Sequence, residues 1–114
     1  MQTPTSIDLK KAVESALALH RQGRPAEALD RLRRIHAAVP DDPSIRFLMG
    51  AMHAEQGDPK AAVPHLAAAL KSRPDHAQAA ALLGQAYRQL GDDDAAVAMW
   101  RAYLAANPGD LRAR

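Results

Sequence analysis

Apolar side chains recur at steps of three and four along most of this chain, the spacing of one face of an α-helix. Leu9, Val13, Ala16 and Leu17 begin the pattern. It stops at Gly23, a residue able to take the left-handed backbone of a helix C-terminus without steric cost. Pro25 suits the first turn of a second helix, where its missing N–H is not needed. That helix presents Ala28, Leu29, Leu32 and Ile35 and ends before Pro40. Pro43 opens a third with Ile45, Phe47, Leu48, Met49 and Met52, closed by Gly57. Asp58 as cap and Pro59 as first helical residue start its partner, which carries Ala62, Val63, Leu66, Ala69 and Leu70. A last pair runs through Ala79, Leu82, Leu83, Ala86, Tyr87 and Leu90, turns at Gly91, and resumes with Val97, Trp100, Tyr103 and Leu104. Six helices are predicted, after a tail in which Thr5 or Ser6 caps the first. Pro64 conflicts locally with this pattern. It lies past the first turn, so a bend or irregular turn is expected there rather than a break, because the flanking repeat pattern continues.

The hairpins keep one period. Gly23, Gly57 and Gly91 are spaced by 34 residues, as are Ala28, Ala62 and Ala96, and Pro40, Pro74 and Pro108. Gly50 and Gly84 share the interval. A fixed period of this length indicates stacked repeats, in which each unit buries its apolar face against its neighbours.

These residues resemble three tetratricopeptide repeats, with units at 9–42, 43–76 and 77–110. Residues 1–8 would form a tail and the start of the first helix, and 111–114 the stub of a capping helix. The eighth positions are Ala16, Gly50 and Gly84, the twentieth Ala28, Ala62 and Ala96, and the thirty-second Pro40, Pro74 and Pro108. The small residues let antiparallel helices approach closely, and the prolines stop the second helix of each unit. Ala12, Arg46 and Ala80 stand where the family often has a large aromatic, and Tyr103 where it usually has alanine. The resemblance implies an all-α solenoid, a right-handed superhelix whose first helices line a concave groove. The groove positions it implies are Lys10, Val13, Leu17, His20 and Arg21 in the first unit. The second gives Ser44, Phe47, Ala51, Ala54 and Glu55, and the third Gln78, Ala81, Gln85, Arg88 and Gln89. An apolar floor with a polar rim suits an amphipathic helix or an extended peptide. A subtype that clamps chaperone C-termini uses Lys, Asn and Arg where this chain has Val13, Leu17, Leu48, Gln78 and Leu82, so that ligand is not expected.

Composition narrows the functional classes. The 114 residues are one domain by length. Aromatics are only 4%, so close alanine-rich helix contacts replace one thick core. Lys plus Arg is 15 against 13 Asp plus Glu, with no basic run, which argues against nucleic acid. The absence of cysteine excludes disulfides and thiolate chemistry. No leader and no apolar span of membrane length is visible, so a cytoplasmic location without membrane insertion is expected.

Candidate chemistry is thin. His20, His36, His53, His65 and His76 lack metalloprotease spacing and read as surface or inter-helix residues. Asp41-Asp42 and Asp92-Asp93-Asp94 read as helix caps rather than calcium ligands. Met49, Met52, Met99 and Trp100 read as core, and Arg31, Arg33 and Arg34 as a solvated face. No serine sits in a glycine-flanked elbow. The expectation is a non-enzymatic scaffold that binds a protein or peptide in its groove, without metal or cofactor. Two alternatives are the N-terminal module of a larger bacterial enzyme (sulfotransferase, glycosyltransferase or hydroxylase type), and a module that self-associates through its terminal repeats.

Overall fold

A computed structural model of the protein describes residues 6–39 and 42–109. Among these residues the structure is entirely helical: α1 (Ser6–Arg21), α2 (Pro25–Ala38), α3 (Pro43–Glu55), α4 (Pro59–Ser72), α5 (Ala77–Gln89) and α6 (Asp93–Ala106). The expected cap at Thr5 or the Ser6 side chain, and the expected stub at 111–114, lie outside what is described.

Local chemistry sets the boundaries. Gly23, Gly57 and Gly91 all have φ between 75° and 78°, the left-handed region that favours glycine. At the second of these turns the Gly57 N–H donates to the Ala54 carbonyl and the Asp58 N–H to that of His53, closing the end of α3. The Asp58 carboxylate then accepts from the Ala61 N–H, and Asp92 from that of Ala95. Asp42 accepts from the N–H groups of Ser44 and Ile45. The carboxylates thus cap helix N-termini, which are also the positive ends of the helix dipoles. The α5 cap is His76, whose Nδ1 accepts from the Ala79 N–H at 3.2 Å.

Each helix packs on the next in sequence, and α3 also reaches α5. The result is elongated, 43 × 26 × 22 Å, with a radius of gyration of 14.8 Å. A compact domain of this length would have about 13 Å. The core follows the stack as two clusters. Ala16, Leu19, Ala28, Leu29 and Leu32 join Ile45, Met49 and Met52 across the first joint. Ala62, Leu66 and Leu83 form the second, with Phe47, Val63, Leu82 and Met99 packed against it. Leu66 is fully buried, which alone contributes about 1.5–3 kcal/mol.

Helix α4 runs unbroken across Pro64, and of the two irregularities expected there the turn is absent. The carbonyl left without its partner belongs to exposed Lys60, where water can satisfy it, while the Pro64 carbonyl accepts from Arg46 Nη2 at 3.1 Å. Trp100, expected in the core, is half-buried because no described helix covers that side of α6. Tyr103 is instead buried and meets the indole edge-on at 5.8 Å between ring centroids. Below it, Asn107 Nδ2 donates to the carbonyls of Pro74 and Tyr103, fastening the end of α6 to the α4–α5 corner.

Gly50 and Gly84 mark the tightest helix crossings. A Cβ on Gly50 would lie 2.7 Å from Leu66 Cγ, and one on Gly84 2.6 Å from Trp100 Nε1. Leu66 has no exposed surface into which to retreat, whereas the indole borders solvent. Alanine's helix preference over glycine is worth about 1 kcal/mol, against roughly 1–3 kcal/mol for overpacking. Gly50→Ala is therefore expected to lower unfolding free energy in urea by up to about 2 kcal/mol, and Gly84→Ala by less. A Gly50→Ala protein as stable as the parent would contradict this packing.

Candidate functional site

The small side chains that bring α3 and α5 together also leave a hollow between them. Its volume is about 370 Å³, and it is lined by Ala51, Ala54, Glu55, Leu82, Gln85, Ala86 and Gln89. Leu82 and Ala86 form an apolar floor. The Gln85 and Gln89 amides and the Glu55 carboxylate stand at the rim, each on an exposed residue. Glu55 also accepts a hydrogen bond from His20 Nε2 of α1, which ties the first helix to the third beside the hollow.

Of the residues expected in the groove, Ala51, Ala54, Glu55, Gln85 and Gln89 are thus brought together, with His20 joined through Glu55. Lys10, Arg21, Ser44, Gln78, Ala81 and Arg88 are exposed. Val13 and Leu17 are half-buried against the first core cluster. Phe47 is half-buried too. It packs on the second cluster and against the His76 ring at 4.4 Å, and it lines a smaller hollow of about 160 Å³ with Pro43, Ser44, Leu48 and Arg73. Leu82 and Ala86 were not among the expected groove residues. Their spacing of four along α5 is the signal for a shared face.

A broader hollow, about 640 Å³, lies on the outer side of α1 and α2 among Ala12, Ala26, Glu27, Asp30, Arg31, Arg34 and Ile35. Its charges are largely satisfied locally: Arg34 pairs with Asp30, Arg24 with Glu27, and Arg31 donates to Ser15. The arginines form a solvated face there, with no charge held ready for a ligand.

Three histidines converge at the joint of α2, α3 and α4. The His65 ring stacks on that of His53 at 5.7 Å and meets that of His36 edge-on at 6.1 Å. Nδ1 of His36 and of His65, and Nε of Arg46, are buried without a protein partner. No group of metal-binding side chains occurs among the described residues. Burial and the neighbouring Arg46 guanidinium push the His65 imidazole down from 6.5 to about 4, with His53, His36 and Arg33 adding to the effect. His53 is also lowered, by burial and then by Arg33, against the opposing pull of Asp58.

An all-helical stack of hairpins, with glycine turns and small-residue crossings at one period, defines an α-solenoid repeat protein. The chain belongs to the tetratricopeptide-repeat family, whose models match residues 47–110, more than half of it, and residues 12–52. Among solved structures, MamA from MSR-1 superposes with a TM-score of 0.81 at 23% identity, over 93% of this chain and 61% of that one. MamA residues 41 to the end, from Desulfovibrio magneticus RS-1, superpose with a TM-score of 0.76 at 30% identity, over 92% and 59%. The chain thus spans about three fifths of the length of these structures. Comparison with curated proteins gives no match. Among the described residues, no helix is long and apolar enough to cross a membrane.

The histidine joint makes stability depend on pH. A histidine whose folded value lies below its unfolded one takes up its proton more readily when unfolded. Its contribution is complete above about 6.5 and is lost as pH falls toward 4. The melting temperature should therefore drop across that window, and His65→Gln should flatten the drop. An equally steep drop in His65→Gln would assign the pH dependence to other groups.

Proposed function

We propose that this chain is a non-enzymatic scaffold that binds an extended or helical peptide segment of another protein across the face of α1, α3 and α5. The reading takes 9–42, 43–76 and 77–110 as its structural units. The observation that carries it is the hollow between α3 and α5. Alanines and Leu82 give it a floor suited to one small aliphatic side chain. Gln85 and Gln89 can each donate to and accept from a peptide backbone, which fixes direction without reading sequence. The surrounding helices are held by buried contacts on both sides, so little ordering of the receptor opposes binding. Exposed Arg88 and Lys10 on the same face favour acidic residues flanking the anchor.

A displayed library of peptides with single aliphatic anchors, selected on the whole chain, supplies defined ligands. Ala51→Arg fills the hollow and introduces a charge into its floor, and should weaken selected peptides about tenfold or more. Arg88→Glu should shift the selection away from acidic flanks. Asp30→Ala, on the opposite side, should change neither. Peptides that bind equally well to the Ala51→Arg protein would place the binding surface elsewhere.

A further inference from the structure

The joint between the first and second hairpins carries histidines on both of its sides, and a proton acts on the two sides in opposite senses. On one side α2 brings His36 and Arg33, α3 brings His53 and Arg46, and α4 brings His65. The His65 ring meets both of the others, stacked on His53 and edge-on to His36. The Arg46 guanidinium is held beside it, because Nη2 donates to the Pro64 carbonyl. Asp58 is the carboxylate whose charge reaches this group, through His53, and it already caps α4 by accepting from the Ala61 N–H. Protonating the three imidazoles sets five cations against that one anion, with Nδ1 of His36 and of His65 buried away from water. On the other side α1 meets α3 through His20, whose Nε2 donates to the Glu55 carboxylate. Nearby, Arg24 is paired with Glu27 and Arg21 is exposed. A proton on His20 turns its hydrogen bond into an ion pair.

Packing decides which helix yields. Helices α3 and α4 share the most extensive interface among the described residues. They are pressed together at Gly50, where an added Cβ would lie 3.2 Å from that of His65. Helices α2 and α3 share the least extensive interface between consecutive helices. Within the first hairpin, Ala16 and Leu19 of α1 are buried with Ala28, Leu29 and Leu32 of α2, so the two move together. Repulsion at the joint is therefore relieved most easily by carrying α2 away from α3 and α4. We infer that acid tilts the first hairpin on the second: α2 parts from α3 and α4 at the histidine joint, while α1 stays seated on α3 through His20 and Glu55. An imidazole of the joint binds its proton more readily once the helices part. Closure is then complete above about 6.5 and weakens as pH falls toward 4. The motion is one of packed bodies about an interface, with no helix unwound. The α3–α5 hollow lies within the second and third hairpins, and failure of the tilt would leave the peptide-binding reading intact.

The chain has no cysteine, so pairs of nitroxide labels can be placed at chosen sites. Ala37→Cys with Lys71→Cys labels α2 and α4, and Gln22→Cys with Gln56→Cys labels the ends of α1 and α3; all four residues are exposed. Electron paramagnetic resonance spectra of the whole chain are compared at about pH 7.5 and about pH 5, acidic enough to charge a freed imidazole while carboxylates stay ionised. Dipolar broadening of the 37/71 pair should be largely lost at the lower pH. That of the 22/56 pair should persist, and the helical circular dichroism should not change. His65→Gln, and independently His36→Gln, should keep the 37/71 broadening at both pH values. His20→Gln should let the 22/56 pair lose its broadening as well. A 37/71 pair insensitive to pH, or one whose loss survives both His65→Gln and His36→Gln, would overturn the tilt. Loss of broadening in both pairs of the parent would equally overturn it, since the hairpins would then be separating or unfolding as a whole.

Discussion

Everything in this stack depends on how closely the two helices of a hairpin can approach. The eighth position sets that distance, with Ala16, Gly50 and Gly84 in turn. Ala16 meets a partner helix whose own contact, Ala28, is equally without exposed surface. At Gly50 the absent methyl is replaced by the branch of Leu66, and at Gly84 by the edge of an indole. A larger side chain at any of these crossings would push the helices apart and misalign the next hairpin. The aromatics can be few because backbone proximity supplies much of the dispersion contact that large side chains supply elsewhere.

The same tightness shapes the face proposed to take a peptide. Helices α3 and α5 come together on alanines, which leaves a shallow trough instead of a filled seam. Its walls are fixed by the buried contacts behind it. Its chemistry is set by what stands at the rim, chiefly two carboxamides and a carboxylate already engaged by a histidine from α1. On the proposed reading, selectivity on such a surface would come from the spacing of anchor and polar contacts, since no single group dominates the field.

Much of this was legible in the sequence because local rules and tertiary packing agree. Glycine at the turns, aspartate before the helices and the constant interval each point to the same hairpins. The lining of the α3–α5 hollow was legible in part: Ala51, Glu55 and Gln85 follow from the register, whereas Leu82 and Ala86 read equally well as core. Phe47, which the register aims at the groove, leans in the structure onto the second core cluster and His76. The histidine joint was not legible. His36, His53 and His65 occupy three different positions of the repeat, so only the packing of three helices brings them together. Burial of Trp100 also hinged on a neighbour that lies outside its own hairpin.

Among the described residues, contacts run mainly from each helix to the next or the next but one, as from α3 to α5, α1 to α3 and α2 to α4. No strand waits for a distant mate, and no loop must close over a large span before it is rewarded. A chain wired in this way can assemble while still being synthesised, each hairpin settling on the one already made.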